Sequence, residues 1–139
     1  MESGVNTDTQ LSVVIGVGID LCELDRIASM LNRLGETFLR RAYTPIEQEY
    51  IGNGPDAPLR CAGLFAAKEA VVKCLGTGFA SGVGWKQVQV VPKNKFWQVT
   101  LFDEALRIDR VHHSTRWMID VHYTRTHACA AAIWTAAGQ

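Results

Sequence analysis

The chain has little of what staples or punctuates a small fold, with four cysteines and four prolines in 139 residues. Cys22, Cys61, Cys74 and Cys129 are scattered, with no C-x-x-C and no zinc-ligand spacing. A chain of this length buries roughly two-thirds of its unfolded surface, so disulfides are not needed. The cysteines are therefore expected to be reduced packing thiols in a reducing compartment. No apolar run reaches the ~18 residues of a membrane span. The first ten residues are polar, carry acids and lack the apolar stretch of a signal peptide. Fourteen Lys and Arg balance fourteen Asp and Glu, which removes a whole-chain field for nucleic acid. H-E-x-x-H, G-x-S-x-G and G-x-x-x-x-G-K-[ST] are all missing, so the common zinc-protease, hydrolase and P-loop signatures are excluded. These absences lead to the expectation of a cytoplasmic protein that binds neither membrane nor nucleic acid.

What is present is a foldable composition, 47% hydrophobic and 20% charged. One domain is expected over 12–139, behind a mobile leader at 1–11. Val13 to Asp20 reads as a buried strand ending on an acid. Leu24, Ile27, Leu31 and Leu34 recur at helical spacing until Gly35, and a short helix follows from Glu36 to Ala42. Thr44-Pro45-Ile46-Glu47 carries an N-cap, a proline at the first helical position and a glutamate at the third. The longest helix spans Leu59 to Leu75 and closes on Gly76. Its Gly63, Ala67, Ala70 and Cys74 form a flank of small side chains, suited to close packing or to a ligand. Beyond it the period becomes two. Strands are predicted at Lys86–Val91, Phe96–Phe102, Trp117–Tyr123 and Ala128–Trp134, with a helix around Asp103–Arg110. The order predicts an α+β fold, an antiparallel sheet packed on helices in a single-domain subunit.

Two acids stand out. Asp20 lies where a strand leaves the sheet, and Glu69 lies inside the alanine-rich helix. Separately they read as a helix cap and a solvated side chain. Facing each other, they suit Mg²⁺, a hard ion that shares itself with substrate phosphates. Lys73 follows Glu69 by one turn and reads either as an i,i+4 ion pair or as a phosphate contact. Gly76-Thr77-Gly78 follows at once, as a helix cap and turn or as a loop whose backbone N–H groups approach a pyrophosphate. His122 and His127 read as strand-end histidines or as metal ligands. Arg26, Arg33, Arg40 and Arg41 form a basic stretch, either a solvated helix face or a surface for an acidic partner.

The order of these motifs is more specific than any one of them. Gly16-Val-Gly-Ile-Asp20-Leu-Cys-Glu23-Leu-Asp-Arg26-Ile27 resembles the opening G-x-G-x-D-[IL]-x-E-[IL]-x-R-I of the holo-acyl-carrier-protein synthase family. Thr44-Pro-Ile-Glu47 is similar to its F-T-x-x-E segment. Phe65-Ala-Ala-Lys68-Glu69-Ala-Val-Val-Lys73-Cys-Leu-Gly76-Thr77-Gly78 matches F-A-x-K-E-A-x-x-K-A-x-G-T-G almost throughout. The resemblance covers roughly Ile15 to Trp134.

It implies the 4′-phosphopantetheinyl transferase fold and an enzyme that moves 4′-phosphopantetheine from coenzyme A to a serine of an apo acyl carrier protein, releasing 3′,5′-ADP. By the same resemblance Asp20 and Glu69 hold Mg²⁺, with Glu23 in support. Asp20, Glu69 and Lys73 carry the catalysis. Lys73, Gly76, Thr77 and Gly78 meet the coenzyme A phosphates, with Lys68, Arg60 and His122 as further coenzyme A contacts. Arg26 faces the acidic helix of the carrier protein, in fatty-acid or polyketide synthesis, and Arg33, Arg40 and Arg41 extend that surface. The acid-free stretch Lys86, Lys93 and Lys95 suits the coenzyme A 3′-phosphate. A homotrimer with active sites between subunits is implied.

The sequence also departs from the family. Leu64 stands where an arginine usually precedes the phenylalanine, with Arg60 one turn earlier. Asn94-Lys95-Phe96 replaces a G-K-P turn. Tyr123 falls where the family's late histidine lies, with His122 one residue early and hence on the opposite face of a strand. These changes motivate the alternative of a non-catalytic relative that binds carrier protein or coenzyme A.

Overall fold

The computed structural model of the protein describes residues 11–138. The leader expected at 1–11 therefore lies, apart from Leu11, outside the described residues. The elements run β1 (Ser12–Glu23), α1 (Leu24–Leu34), α2 (Glu36–Ala42), α3 (Pro45–Ile51), α4 (Ala57–Leu75), β2 (Val88–Lys93), β3 (Phe96–Leu101), α5 (Asp103–Val111), β4 (Ser114–Tyr123) and β5 (His127–Ala137). This is the α+β order that the sequence predicts. Strands β1, β5 and β4 form one antiparallel sheet with β5 in the middle, and β2 and β3 form a separate antiparallel ribbon.

Gly16 and Gly18 decide how this sheet meets α4. A Cβ on Gly18 would lie 2.0 Å from the Ala70 carbonyl oxygen, and one on Gly16 would lie 3.0 Å from that of Cys74. The strand therefore runs directly along the helix backbone. The Cys74 thiol donates across the same contact to the Ala132 carbonyl of β5, at 3.3 Å. The small flank of α4 thus serves close packing. The helix is buried on nearly all sides, with Leu64, Val71 and Val72 fully covered. Cys22, Cys61 and Cys74 are buried free thiols, as their spacing suggested.

The local signals at helix ends hold. Thr44 Oγ1 accepts from the Glu47 N–H, and Glu47 Oε1 accepts in return from the Thr44 N–H at 2.9 Å, a complete capping box. Gly76 closes α4 in the left-handed conformation, at φ 79°. The boundaries of the later strands shift. Lys86 and Gln87, expected to open a strand, lie instead in a 3-10 turn over Trp85–Gln87. Gln87 is committed there because its side chain donates to the Gly82 carbonyl and accepts from the Ala105 N–H. Pro92 sits inside β2 opposite Trp97, which a two-stranded ribbon tolerates because one side of each strand is an edge.

The sheet has one covered face and one bare one. Along β1, Gly18 and Cys22 face α4, while Val17, Ile19 and Leu21 point outward at 60%, 64% and 64% exposure. Met118 on β4 and the half-buried Ile133 on β5 share the outward face. Of the described residues, no helix is long and apolar enough to cross a membrane.

Candidate active site

The close approach at Gly16 and Gly18 sets the register between β1 and α4. It places Asp20, two residues further along the strand, near the solvent-facing side of α4 that carries Glu69 and Lys73. Lys73 Nζ donates to Asp20 Oδ1 at 2.8 Å and to the Ile19 carbonyl at 2.9 Å. The i,i+4 pair with Glu69, one of the two expectations for this lysine, is not the bond it makes. The tertiary acceptors on β1 engage it instead, and its side chain is still about half exposed.

Glu69 is left beside this pair with an acidic neighbour. Its carboxyl is raised above the usual carboxylate range, first by partial burial and then by the charge on Asp20. Lys73 and Arg26 oppose the rise. The electrostatics thus join Asp20, Glu69, Lys73 and Arg26 in one site at the seam between β1 and α4. Cys22 lies next to them, but burial and then Asp20 push its thiol up to about 11, so it is an inert packing group.

Among the described residues, no group of three or more His, Cys, Asp or Glu is arranged to hold a metal. A pair of carboxylates fits the hard-cation chemistry of Mg²⁺, which keeps most of its positions for water and phosphate oxygens. Burial is the larger cause of the raised Glu69 carboxyl and the Asp20 charge the second, and a divalent cation would relieve that second part.

The Gly76–Gly78 loop follows Lys73 directly, and two of its three backbone N–H groups close the end of α4. The Gly76 N–H donates to the Lys73 carbonyl and the Gly78 N–H to the Val72 carbonyl, closing the end of α4. Thr77 Oγ1 donates to the Gly78 carbonyl at 2.7 Å. Gly76 and Gly78 have positive φ, and a Cβ on either would meet nothing within 4 Å. The turn itself requires these positive φ values.

Three of the expected coenzyme A contacts are not brought to this seam. Lys68 is fully buried, donating to Glu47 Oε1 at 2.6 Å and to the Ala42 carbonyl at 2.7 Å, so its ammonium has no free face for phosphate. His122 points to the bare face of the sheet, where it meets the exposed Asp120 carboxylate at 2.7 Å. Its neighbour Tyr123 takes the α4 face, as strand alternation requires, and its hydroxyl fills the notch at Gly63. Arg60 lies thirteen residues before Lys73, about 20 Å along the helix axis. It donates to the Ile51 carbonyl and lies over the Tyr50 ring at 6.0 Å. Leu64 is a fully buried core residue.

The arginines fare differently. Arg26 and Arg33 share one exposed side of α1, and Arg40 and Arg41 are exposed on α2, with Arg40 bridged to Glu36 at 3.5 Å. Arg26 acts on the Glu69 carboxyl, so this basic surface borders the acidic pair. Sequence reasoning placed Arg26 on a partner surface and missed its electrostatic link to Glu69. The i,i+6 spacing from Asp20 carries no local signal for it.

A strand–helix seam of two carboxylates and a lysine, on a three-stranded sheet wrapped around one buried helix, defines a class. Residues 16–132 match the sequence model of the 4′-phosphopantetheinyl transferase superfamily. The chain is 40% identical over 123 residues to a holo-[acyl-carrier-protein] synthase of Solidesulfovibrio magneticus, covering 87% of this chain and 98% of that one. It is 34% identical over 123 residues to the synthase of Protochlamydia amoebophila, covering 88% and 99%. The fold matches the crystal structure of the Neisseria meningitidis synthase with a TM-score of 0.78 at 22% identity, over 88% of this chain and 98% of that one. It also matches the Bacillus anthracis synthase in complex with coenzyme A (3′,5′-ADP), with a TM-score of 0.72 at 24% identity, over 89% and 98%. The chain belongs to the 4′-phosphopantetheinyl transferase superfamily and, within it, to the holo-[acyl-carrier-protein] synthases. It is an enzyme of that class.

Proposed function

We propose that this enzyme transfers 4′-phosphopantetheine from coenzyme A to a serine of an apo acyl carrier protein, with Mg²⁺, and releases 3′,5′-ADP. The observation that carries this reading is the Asp20–Lys73 pair lying against a Glu69 whose carboxyl is raised by burial and by Asp20. Asp20 and Glu69 would hold the ion, which supplies positive charge to the pyrophosphate oxygens when bound. Lys73 is half exposed and anchored on β1, where its ammonium stabilises charge gathering on the leaving 3′,5′-ADP. The serine Oγ bonds to the β-phosphorus as the bridging P–O bond breaks, and the departing group keeps that electron pair. The hydroxyl proton passes to a carboxylate. Glu69, the partly exposed carboxylate of the seam, suits that role.

Arg26 and Arg33 on α1, with Arg40 and Arg41 on α2, suit an acidic carrier helix docked at the edge of this seam. Open grooves of the described chain lie away from this seam. One of about 460 Å³ runs between the β2–β3 hairpin and the start of β4, lined by Lys93, Phe96, Trp97, Arg116 and Trp117. Its cations suit the 3′-phosphate end of coenzyme A. Tyr50, Arg60 and Tyr123 likewise lie far along α4 from Lys73. A homotrimer whose active sites form between neighbouring copies accounts for this separation. The bare apolar face at Val17, Ile19 and Leu21 supports such assembly, since a sheet face this apolar is normally covered.

Incubation with coenzyme A, Mg²⁺ and an apo carrier protein, read by intact mass, tests the reading. An adduct with the mass of one phosphopantetheine group is expected. Binding of coenzyme A or carrier by calorimetry without any such adduct would favour the non-catalytic alternative.

A further inference from the structure

The fully buried ion pair between Glu47 and Lys68 is the most expensive polar feature of the core, and the transfer reaction does not use it. Each Glu47 oxygen has its own partners. Oε1 accepts from Lys68 Nζ at 2.6 Å and from the Thr44 N–H at 2.9 Å, and Oε2 accepts from the Val90 N–H at 2.9 Å. Lys68 Nζ also donates to the Ala42 carbonyl and lies 5.2 Å from the centroid of the Tyr43 ring. Thr44 Oγ1, besides capping α3, donates to Gln89 Oε1 at 2.8 Å. One network thus ties the end of α2, the start of α3 and strand β2 to a single side chain of α4.

That side chain precedes Glu69. Successive helix residues are about 100° apart. Lys68 faces the α2–α3–β2 wall, Ala70 faces β1, and Glu69 lies between them at the seam. Helix α4 is therefore held from two sides. On one side Gly18 sits against the Ala70 backbone, and on the other Lys68 is bonded into the wall. The first contact fixes the distance from strand to helix. Apolar packing is non-directional, whereas a charge-assisted pair with every acceptor placed also fixes the direction in which its side chain leaves the helix. Buried ion pairs are often replaceable by apolar side chains without loss of stability, so stability alone does not explain this one.

We propose that Glu47 and Lys68 are positioning residues, which fix the rotation of α4 so that the Glu69 carboxylate is presented to the same cation as Asp20. The inference rests on the metal-dependent reading above and goes beyond it by assigning this buried pair a function at the site. The Lys68→Met variant removes the charge while keeping the length and the apolar stem. Because it leaves Glu47 buried and unpaired, the double variant Glu47→Gln/Lys68→Met is measured beside it. Val88→Ala, a cavity in the neighbouring β2–α4 packing, serves as a control for lost stability.

Binding of Mn²⁺ is measured directly by the electron paramagnetic resonance signal of the free ion, with Mg²⁺ as competitor. Thermal melting and the Mg²⁺ dependence of transfer are recorded alongside. The expected result is Mn²⁺ binding weakened about tenfold or more in both Lys68 variants, the range seen when an outer-shell partner of a metal ligand is removed. The half-saturating Mg²⁺ concentration for transfer should rise in step. Val88→Ala should bind Mn²⁺ as the wild type does, however far its melting temperature falls. Folded double variant with wild-type Mn²⁺ affinity overturns the positioning role and leaves the transferase reading standing. So does equal weakening in Val88→Ala. A wild-type protein that binds no Mn²⁺ overturns the metal reading together with this one.

Discussion

Lys73 donates to Asp20 across the β1–α4 seam, at 2.8 Å, and not to Glu69 on its own helix. The consequence is a Glu69 left beside Asp20 without a bonded cation. On the proposed reading, removing Glu69 takes away one of the two carboxylates assigned to the ion. Glu69→Gln is expected to lower transfer by about 10²-fold or more, the scale of losing one element of transition-state charge stabilisation. Melting temperature should stay near the wild-type value, because the side chain is partly exposed and makes no bond that the core requires. Mass-spectrometric rate measurement on both proteins checks this, and unchanged transfer would remove Glu69 from the reaction.

The pH dependence of ion binding follows from the direction of the Glu69 shift. Burial and then Asp20 raise its carboxyl, so the folded protein holds that proton more tightly than the unfolded chain does. Taken alone, the group favours the folded state at low pH, and this advantage is lost as pH rises through the folded-state value. Divalent ions need the ionised form, so their effect runs the opposite way. The rise in melting temperature on adding Mg²⁺ should be largest near about pH 8 and shrink towards about pH 5, fading above the range of ordinary carboxylates. Calorimetric scans at a series of pH values test this. A Mg²⁺ effect that stays level across the range would contradict the assignment.

How far the sequence foretold this site depends on whether each interaction is local. The Thr44–Glu47 capping box was legible because its partners lie three residues apart. So was the Gly76 stop, since a left-handed residue after a helical pattern is a backbone requirement. The role of Gly16 and Gly18 is different in kind. A G-x-G pattern does not say what approaches the missing Cβ, and the answer, the backbone of α4, lies more than 50 residues away. For Lys73, helical spacing shows only the neighbour on the same helix, and the carboxylate it bonds lies on β1. Lys68 was misplaced for a related reason. Lysine is almost never fully buried unless paired, and its partner Glu47 lies on the preceding helix, 21 residues upstream. His122 and Tyr123 were separable from sequence by strand alternation, which puts them on opposite faces; the pairing with β5 and the contact at Gly63 decide which face each takes.

The bare face leads to a prediction about assembly. Val17 projects from β1 on the side opposite α4, three residues before Asp20, so a charge there disturbs the outer surface without entering the seam. Val17→Glu should convert a self-associated protein into single copies, as read by sedimentation velocity. If neighbouring copies complete the active site, transfer should fall in parallel with dissociation and recover as protein concentration is raised. A variant that remains assembled, or single copies with full activity, would refute the shared site.

Gly63 and Tyr123 provide a test of packing between β4 and α4. A Cβ on Gly63 would lie 2.1 Å from the Tyr123 hydroxyl oxygen and 3.0 Å from the ring carbon that bears it. Tyr123 is 40% exposed, but swinging away would lift its ring off α4, where burial of the hydroxyl end pushes its phenol up to about 12. Gly63→Ala should therefore destabilise the fold by about 1–3 kcal/mol, the range for overpacking, offset in small part by the better helix propensity of alanine. Tyr123→Phe removes the atom in closest conflict and leaves the ring, so alone it should cost little. Combined with Gly63→Ala it should recover a large share of the loss, giving a coupling of about 1 kcal/mol or more in a double-mutant cycle. Urea unfolding of the four proteins measures that coupling. Strict additivity would mean that Tyr123 does not occupy the Gly63 notch, and the placement of β4 on α4 would then be wrong at its most closely packed point.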